Sequence, residues 1–107
     1  MKKMVNLDAA EATKKLLDSY TNVGYKFSSF VLQNPTEAED AVQKIFMKAF
    51  RSWDTFQGRA DAKTWLLSIA RNHLYDRLRE QQRERRLLRK ALLEAQTNDR
   101  REYIILT

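Results

Sequence analysis

The chain has no cysteine, one proline (Pro35), two glycines (Gly24 and Gly58) and one histidine (His73). Without cysteine it forms no disulfide within itself and offers no thiolate to a metal or a redox reaction. A lone imidazole leaves zinc without a second nitrogen or sulfur ligand, and a lone helical histidine is ordinarily a packed or surface residue. No glycine-rich phosphate loop is present, and nothing arranges Ser, His and Asp into a nucleophilic set. No run approaches the roughly 18 apolar residues that suggest a membrane span. The basic start Met1-Lys2-Lys3 is not followed by the apolar run of a signal peptide. These absences imply a soluble, cytoplasmic domain that is not an enzyme, takes no cofactor or metal and has no membrane partner. The scarcity of Pro and Gly, beside abundant Ala, Leu, Lys, Arg, Glu and Gln, points to an all-α chain.

What is present is basic charge, unevenly placed. The 107 residues carry a formal charge of +6. Residues 1–40 hold five basic and six acidic side chains, and residues 71–90 hold eight basic and three acidic. The positive field is thus concentrated in one stretch, which favours a polyanionic partner more strongly than the total does.

Hydrophobic periodicity predicts a first helix from about Asp8 to Leu32. Leu16, Leu17, Tyr20, Val23, Phe27, Phe30 and Val31 are read as its buried face, and Thr21-Asn22 and Gly24 as a point where it kinks or splits. A boundary follows at Asn34-Pro35-Thr36-Glu37. Asn34 suits the N-cap, Pro35 the first helical position and Glu37 a capping box, with Thr36 and Glu39 as a competing box. The second helix runs to about Trp53, with an apolar stripe of Ala38, Ala41, Val42, Ile45, Phe46, Ala49, Phe50 and Trp53. Beside it lies a polar row of Asp40, Gln43, Lys44, Met47 and Arg51, which by periodicity alone is equally a solvated face.

Asp54 to Asp61 reads as a loop, with Gly58 supplying backbone freedom and Asp61 capping the next helix. An aromatic at Phe56 beside Arg59 in a short loop is notable, but such a ring is more often folded back on the core. The third helix starts near Ala62 and buries Trp65, Leu66, Ile69, Ala70, Leu74 and Leu78. A different face carries Ser68, Asn72, Tyr75 and Arg79, flanked by Arg71. An amide pairs with a base edge, a phenol stacks and a guanidinium grips phosphate, so this face has the chemistry of nucleic-acid contact. Beyond it, residues 81–90 are densely charged around a narrow stripe of Leu87, Leu88, Ala91, Leu92 and Ala95. That stretch is either a fourth helix or a continuation of the third. The apolar Tyr103-Ile104-Ile105-Leu106 is either a docking end or the point at which a longer chain stops.

The stretch from Asn34 to Gln43, then Phe46, Lys48-Ala49-Phe50, Trp53, Phe56-Gln57-Gly58-Arg59, Thr64-Trp65-Leu66-Leu67-Ser68-Ile69-Ala70-Arg71-Asn72 and Asp76-Arg77-Leu78-Arg79, resembles region 2 of the bacterial sigma-70 family. The likeness covers roughly residues 20–86, and its short loop resembles that of the extracytoplasmic-function (ECF) group. The resemblance implies a compact three-to-four-helix region 2 bundle with a basic C-terminal helix. It implies one domain over 1–107, with its core at about 8–86 and 87–107 as a helical extension or the start of a linker. It also implies a transcription initiation role. Asp40, Gln43 and Met47, with Lys44 beside them, then face the clamp helices of the RNA polymerase β′ subunit. The loop from Phe56 to Lys63, including Arg59, captures a base flipped from the non-template strand of the −10 promoter element, with Asn72 in the pocket. Trp65, Arg71, Tyr75 and Arg79 support the loop or contact the strand, although a Trp at this point of a buried stripe is also a core residue. An anti-sigma factor is a further candidate partner.

Two features depart from the family pattern. Lys44 stands where the family usually has an acidic residue after the glutamine, which puts the strength of core binding in doubt. No helix-turn-helix follows Arg86, which implies an excised domain, the melting half of a split factor or a small regulator, the first being favoured. Two other readings remain: a basic helical duplex-DNA binder acting without polymerase, and a helical adaptor that binds only protein.

Overall fold

A computed structural model describes residues 6–106, with side chains for residues 6–98. The expectations placed on Met1-Lys2-Lys3 and on the side chains of Tyr103 to Leu106 lie outside the described residues. The fold is all-α: three helices, with no strand among the described residues. The chain divides into two units, Met1–Arg77 and Leu78–Thr107.

Helix α1 spans Ala9–Leu32. Asp8 caps it by accepting the Glu11 N–H at 2.8 Å. It closes on Gln33 in the left-handed region (φ 53°), whose N–H returns to the Ser29 carbonyl at 2.8 Å. The helix is not split at Thr21-Asn22 or Gly24: α1 is continuous, and the Thr21 hydroxyl donates to the Leu17 carbonyl one turn back. Its fully buried residues are Ala12, Leu16, Ser28 and Leu32. They fall on a row that repeats every fourth residue, with Tyr20 and Gly24 filling the intermediate steps. Much of the expected apolar face is therefore corrected. Val23, Phe27 and Phe30 are 57%, 40% and 78% exposed. The row that faces the neighbouring helices mixes sizes, from Gly24, Ala12 and Ser28 to Leu16, Leu32 and the partly buried Tyr20.

Helix α2 spans Pro35–Ser52 and starts as its sequence predicts. The Asn34 side chain accepts the Glu37 N–H at 3.1 Å, and Pro35 occupies the first turn. Ala38, Ala41, Val42, Ile45, Phe46 and Ala49 are buried. Phe50 is not: it sits one step around the helix from Ala49 and is about half exposed. A 3-10 turn at Trp53–Thr55 leads into the loop.

Helix α3 spans Ala62–Leu106 without a break, so the charged stretch continues the third helix and is not a fourth. Within the first unit, Leu66, Ala70 and Leu74 join the core made by Leu16, Ile45, Phe46 and Trp53. Leu74 has no exposed surface. Burying such a leucine contributes about 1.5–3 kcal/mol. Trp65, Ile69 and Leu78 are only partly buried. In the second unit every described side chain from Gln82 to Asn98 is exposed, the Leu87, Leu88 and Leu92 stripe included.

Candidate functional site

Asp40, Gln43, Lys44 and Met47 all lie exposed on α2. Their spacing follows from the buried stripe: once Ala41, Val42, Ile45 and Ala49 turn inward, positions 40, 43, 44 and 47 turn outward. Asp40 and Lys44 pair at 2.9 Å with more than half of each side chain in solvent. A surface pair one turn apart contributes only about 0.3–0.5 kcal/mol, so its charges remain available to a partner. Gln43 and Met47 line an open groove with Leu17 of α1 and with Phe50 and Arg51.

Sequence reasoning missed two residues near this row. The Lys48 ammonium donates to His73 Nδ1 at 2.8 Å, joining α2 to α3. An ammonium only donates, so Nδ1 is the acceptor and the imidazole is neutral with its proton on Nε2. Partial burial, then the charges of Lys48 and Lys44, hold the His73 pKa below its ordinary 6.5, while Asp40 and Asp76 act weakly the other way. No spacing rule links positions 48 and 73, so only the fold reveals the pair.

The loop between α2 and α3 is held from beneath by three rings. Phe56 stacks on Trp53 at 4.9 Å between centroids, Trp65 meets Trp53 edge-on at 5.4 Å, and Phe56 and Trp65 are 5.3 Å apart. The Trp53 indole N–H donates to the Leu7 carbonyl at 2.8 Å. Phe56 is therefore a buried residue whose ring anchors the loop, and Trp65 is partly buried against it. Gly58 takes a φ of 73°, the left-handed turn that residues with a Cβ rarely adopt. Asp61 caps α3, accepting the Thr64 N–H at 2.7 Å. That hydrogen bond, and then the Thr64 side chain, hold its pKa below the usual 3.8. Arg59 and Lys63 are exposed on either side of the cap.

On α3, Arg71, Asn72 and Tyr75 are exposed, with Tyr75 one helical turn beyond the adjacent Arg71 and Asn72. The Arg71 guanidinium lies 5.6 Å from the centre of the Tyr75 ring, a cation–π contact that holds two of the three in one patch. Ser68, which the sequence places on this face, spends its hydroxyl on the Trp65 carbonyl at 2.7 Å. Arg79 belongs to the second unit and is exposed there. Among the described residues no three His, Asp or Glu side chains gather to hold a metal ion. Nor, among them, is any helix long and apolar enough to cross a membrane.

These faces lie within a stretch of known kind. A family model described as sigma-70 region 2 matches residues 15–84. The chain is 38% identical over 72 residues to the ECF RNA polymerase sigma factor SigX of Bacillus subtilis, covering 67% of this chain and 37% of SigX. It is 33% identical over 78 residues to SigW of the same organism, covering 73% of this chain and 42% of SigW. It is 36% identical over 69 residues to BldN of Streptomyces coelicolor, covering 63% of this chain and 26% of BldN. The chain belongs to the sigma-70 region 2 family. Its relatives make it a region 2 domain of the ECF type. It spans less than half the length of each of these three relatives. No solved structure matches it.

Proposed function

We propose that this chain supplies the core-binding and promoter-opening half of a transcription initiation factor, working in the cytoplasm beside the polymerase and chromosome. The observation that carries the proposal is the exposed Arg71, Asn72 and Tyr75 patch, on the helix that directly follows the ring-anchored loop, inside the stretch matched to region 2.

The proposed mechanism divides labour between two surfaces. The α2 row of Asp40, Gln43, Lys44 and Met47 docks on the clamp helices of the RNA polymerase β′ subunit. Its mixture of one carboxylate, one amide, one ammonium and a half-exposed thioether suits a contact with a polar rim and an apolar centre. The loop and α3 then take a base flipped from the non-template strand of the −10 element. Extracting a base costs a few kcal/mol of stacking and pairing. A stacking surface returns about 1–3 kcal/mol per base. Tyr75 provides such a surface, Asn72 a paired donor and acceptor for a base edge, and Arg59, Lys63 and Arg71 charge for phosphates. Arg79, in the second unit, is a separate cation for the same DNA. Phe56 and Trp65 act beneath the strand by fixing the loop. The chain's own role is binding and strand separation; polymerase performs the chemistry.

Anisotropy titration of labelled −10 non-template single strand and of duplex, with and without core polymerase, tests the proposal. The expected outcome is selective binding of the single strand that strengthens when core is present. Tight, steeply salt-dependent duplex binding that ignores core favours instead a plain duplex binder using the basic stretch from Arg71 to Lys90. Binding to core with no DNA affinity in any combination favours the adaptor.

A further inference from the structure

In the second unit, α3 leaves its apolar stripe in water: Leu87, Leu88 and Leu92 are each more than half exposed. A helix gains most of its stability by packing one apolar face, and little from propensity alone. Neither proposed surface uses this stripe. The stripe also has an order. Arg85, Leu88, Leu92, Ala95 and Asp99 follow one another at steps of three and four residues, so they share one line along the helix. Arg85 stands seven residues before Leu92 and Asp99 seven residues after it, about two helical turns either way. Cation and anion are therefore placed symmetrically about an apolar centre and are opposite in sign.

We propose that this face pairs with the same face of a second copy of the chain, antiparallel, with the two-fold axis at Leu92. The line is self-complementary in that sense. Turned end for end, position 85 of one copy meets position 99 of the other, cation to anion, and symmetry forms the contact twice. Leu92 meets its own counterpart, and the large Leu88 falls opposite the small Ala95. A parallel pair would instead set Arg85 on Arg85 and Asp99 on Asp99, like charge on like charge. Each copy carries both signs, so no foreign helix is needed to supply either. The +6 charge of the chain opposes association in general, which makes the two matched ends the selective part of the contact.

The test is sedimentation equilibrium of the full 107-residue chain over a concentration series. The expected result is a monomer–dimer equilibrium. Leu92→Glu, at an exposed position, should weaken dimerisation by at least about tenfold. The fluorescence of Trp53 and Trp65, both in the first unit, should not change with it. Arg85→Asp and Asp99→Arg should each weaken dimerisation by about tenfold. The double variant, which exchanges the two signs, should return to within about threefold of wild type. The chain has no cysteine, so an introduced one reports the sense of pairing. Oxidation should link Leu92→Cys into a dimer and leave Arg85→Cys unlinked, because antiparallel copies hold their positions 85 about 21 Å apart along the axis. A monomer at every concentration, a dimer that Leu92→Glu leaves intact, a double variant no better than the single ones, or equal linking of the two cysteine variants would overturn the proposal. None of these readings depends on polymerase or promoter DNA, so the two-surface proposal stands or falls separately.

Discussion

The carboxylate of Glu37, in the first turn of α2, pairs with the guanidinium of Arg77 on α3, forty positions away in sequence. Each side chain is 26% exposed, so the pair is partly withdrawn from water. Glu37 does two things at once: its N–H is held by Asn34, and its carboxylate ties α2 to α3. Arg77→Ala leaves that carboxylate half-buried and is expected to destabilise the chain by about 1–2 kcal/mol, above the range of exposed pairs. Glu37→Gln keeps the backbone cap and is expected to cost less. Urea denaturation followed by circular dichroism measures both; equal midpoints for wild type and Arg77→Ala would show that the pair contributes nothing.

The aromatic cluster yields a second prediction. Trp53→Phe keeps most of the ring contact but strands the Leu7 carbonyl, and is expected to cost about 1–3 kcal/mol. Phe56→Ala removes a buried ring and is expected to cost about 3–5 kcal/mol. Phe56→Leu should be milder in stability yet still loosen the loop. On this account any loss of promoter selectivity in Phe56→Leu accompanies faster amide exchange from Gln57 to Ala60. Lost selectivity with unchanged exchange would mean that Phe56 touches the strand itself.

His73 is the chain's only histidine, so its imidazole protons give an unambiguous NMR titration. The midpoint is expected below 6.5, and Lys48→Met is expected to raise it by removing a neighbouring charge. The unfolded chain takes up this proton at a higher pH than the folded one. Stability is therefore fully present above the ordinary value of 6.5 and falls as the pH drops through the lowered folded pKa. A midpoint unmoved by Lys48→Met would contradict the hydrogen bond.

Asn72→Ala and Tyr75→Ala separate function from folding. Both residues are exposed, so each substitution should change stability by less than about 0.5 kcal/mol. Each should nevertheless weaken binding to −10 single strand, by about 1–3 kcal/mol where a stacked base is lost. Tyr75→Phe retains the ring and should retain most of the affinity. Selectivity that survives both alanine substitutions would remove α3 from the strand-binding surface.

How much of this is legible without coordinates depends on whether a feature is local. The caps at Asn34 and Asp61 are local, needing only a short polar side chain and the N–H three residues on, and both form as their sequences predict. The α2 stripe is nearly so, because α2 is the central helix and buries most of one side. α1 misleads because hydrophobicity and burial part company there. Ser28 is fully buried while Phe30 is 78% exposed, because the buried row is set by position on the helix and not by the polarity of each side chain. The charged stretch after Arg79 hides the continuity of α3, because a solvated helix and a new helix share one composition. In the candidate site, the outward placement of Asp40, Gln43, Lys44 and Met47 follows from period alone. The Phe56 ring beneath its loop and the Lys48–His73 link follow only from tertiary packing.

The most direct test of the central claim places 2-aminopurine at the base of a −10 duplex expected to flip. Fluorescence is then recorded with the chain alone, core polymerase alone and both together. The account predicts a rise only when both are present, and its reduction by Asn72→Ala. An equal rise with core alone, or none with both present, would contradict the claim that this domain opens the promoter by capturing a base.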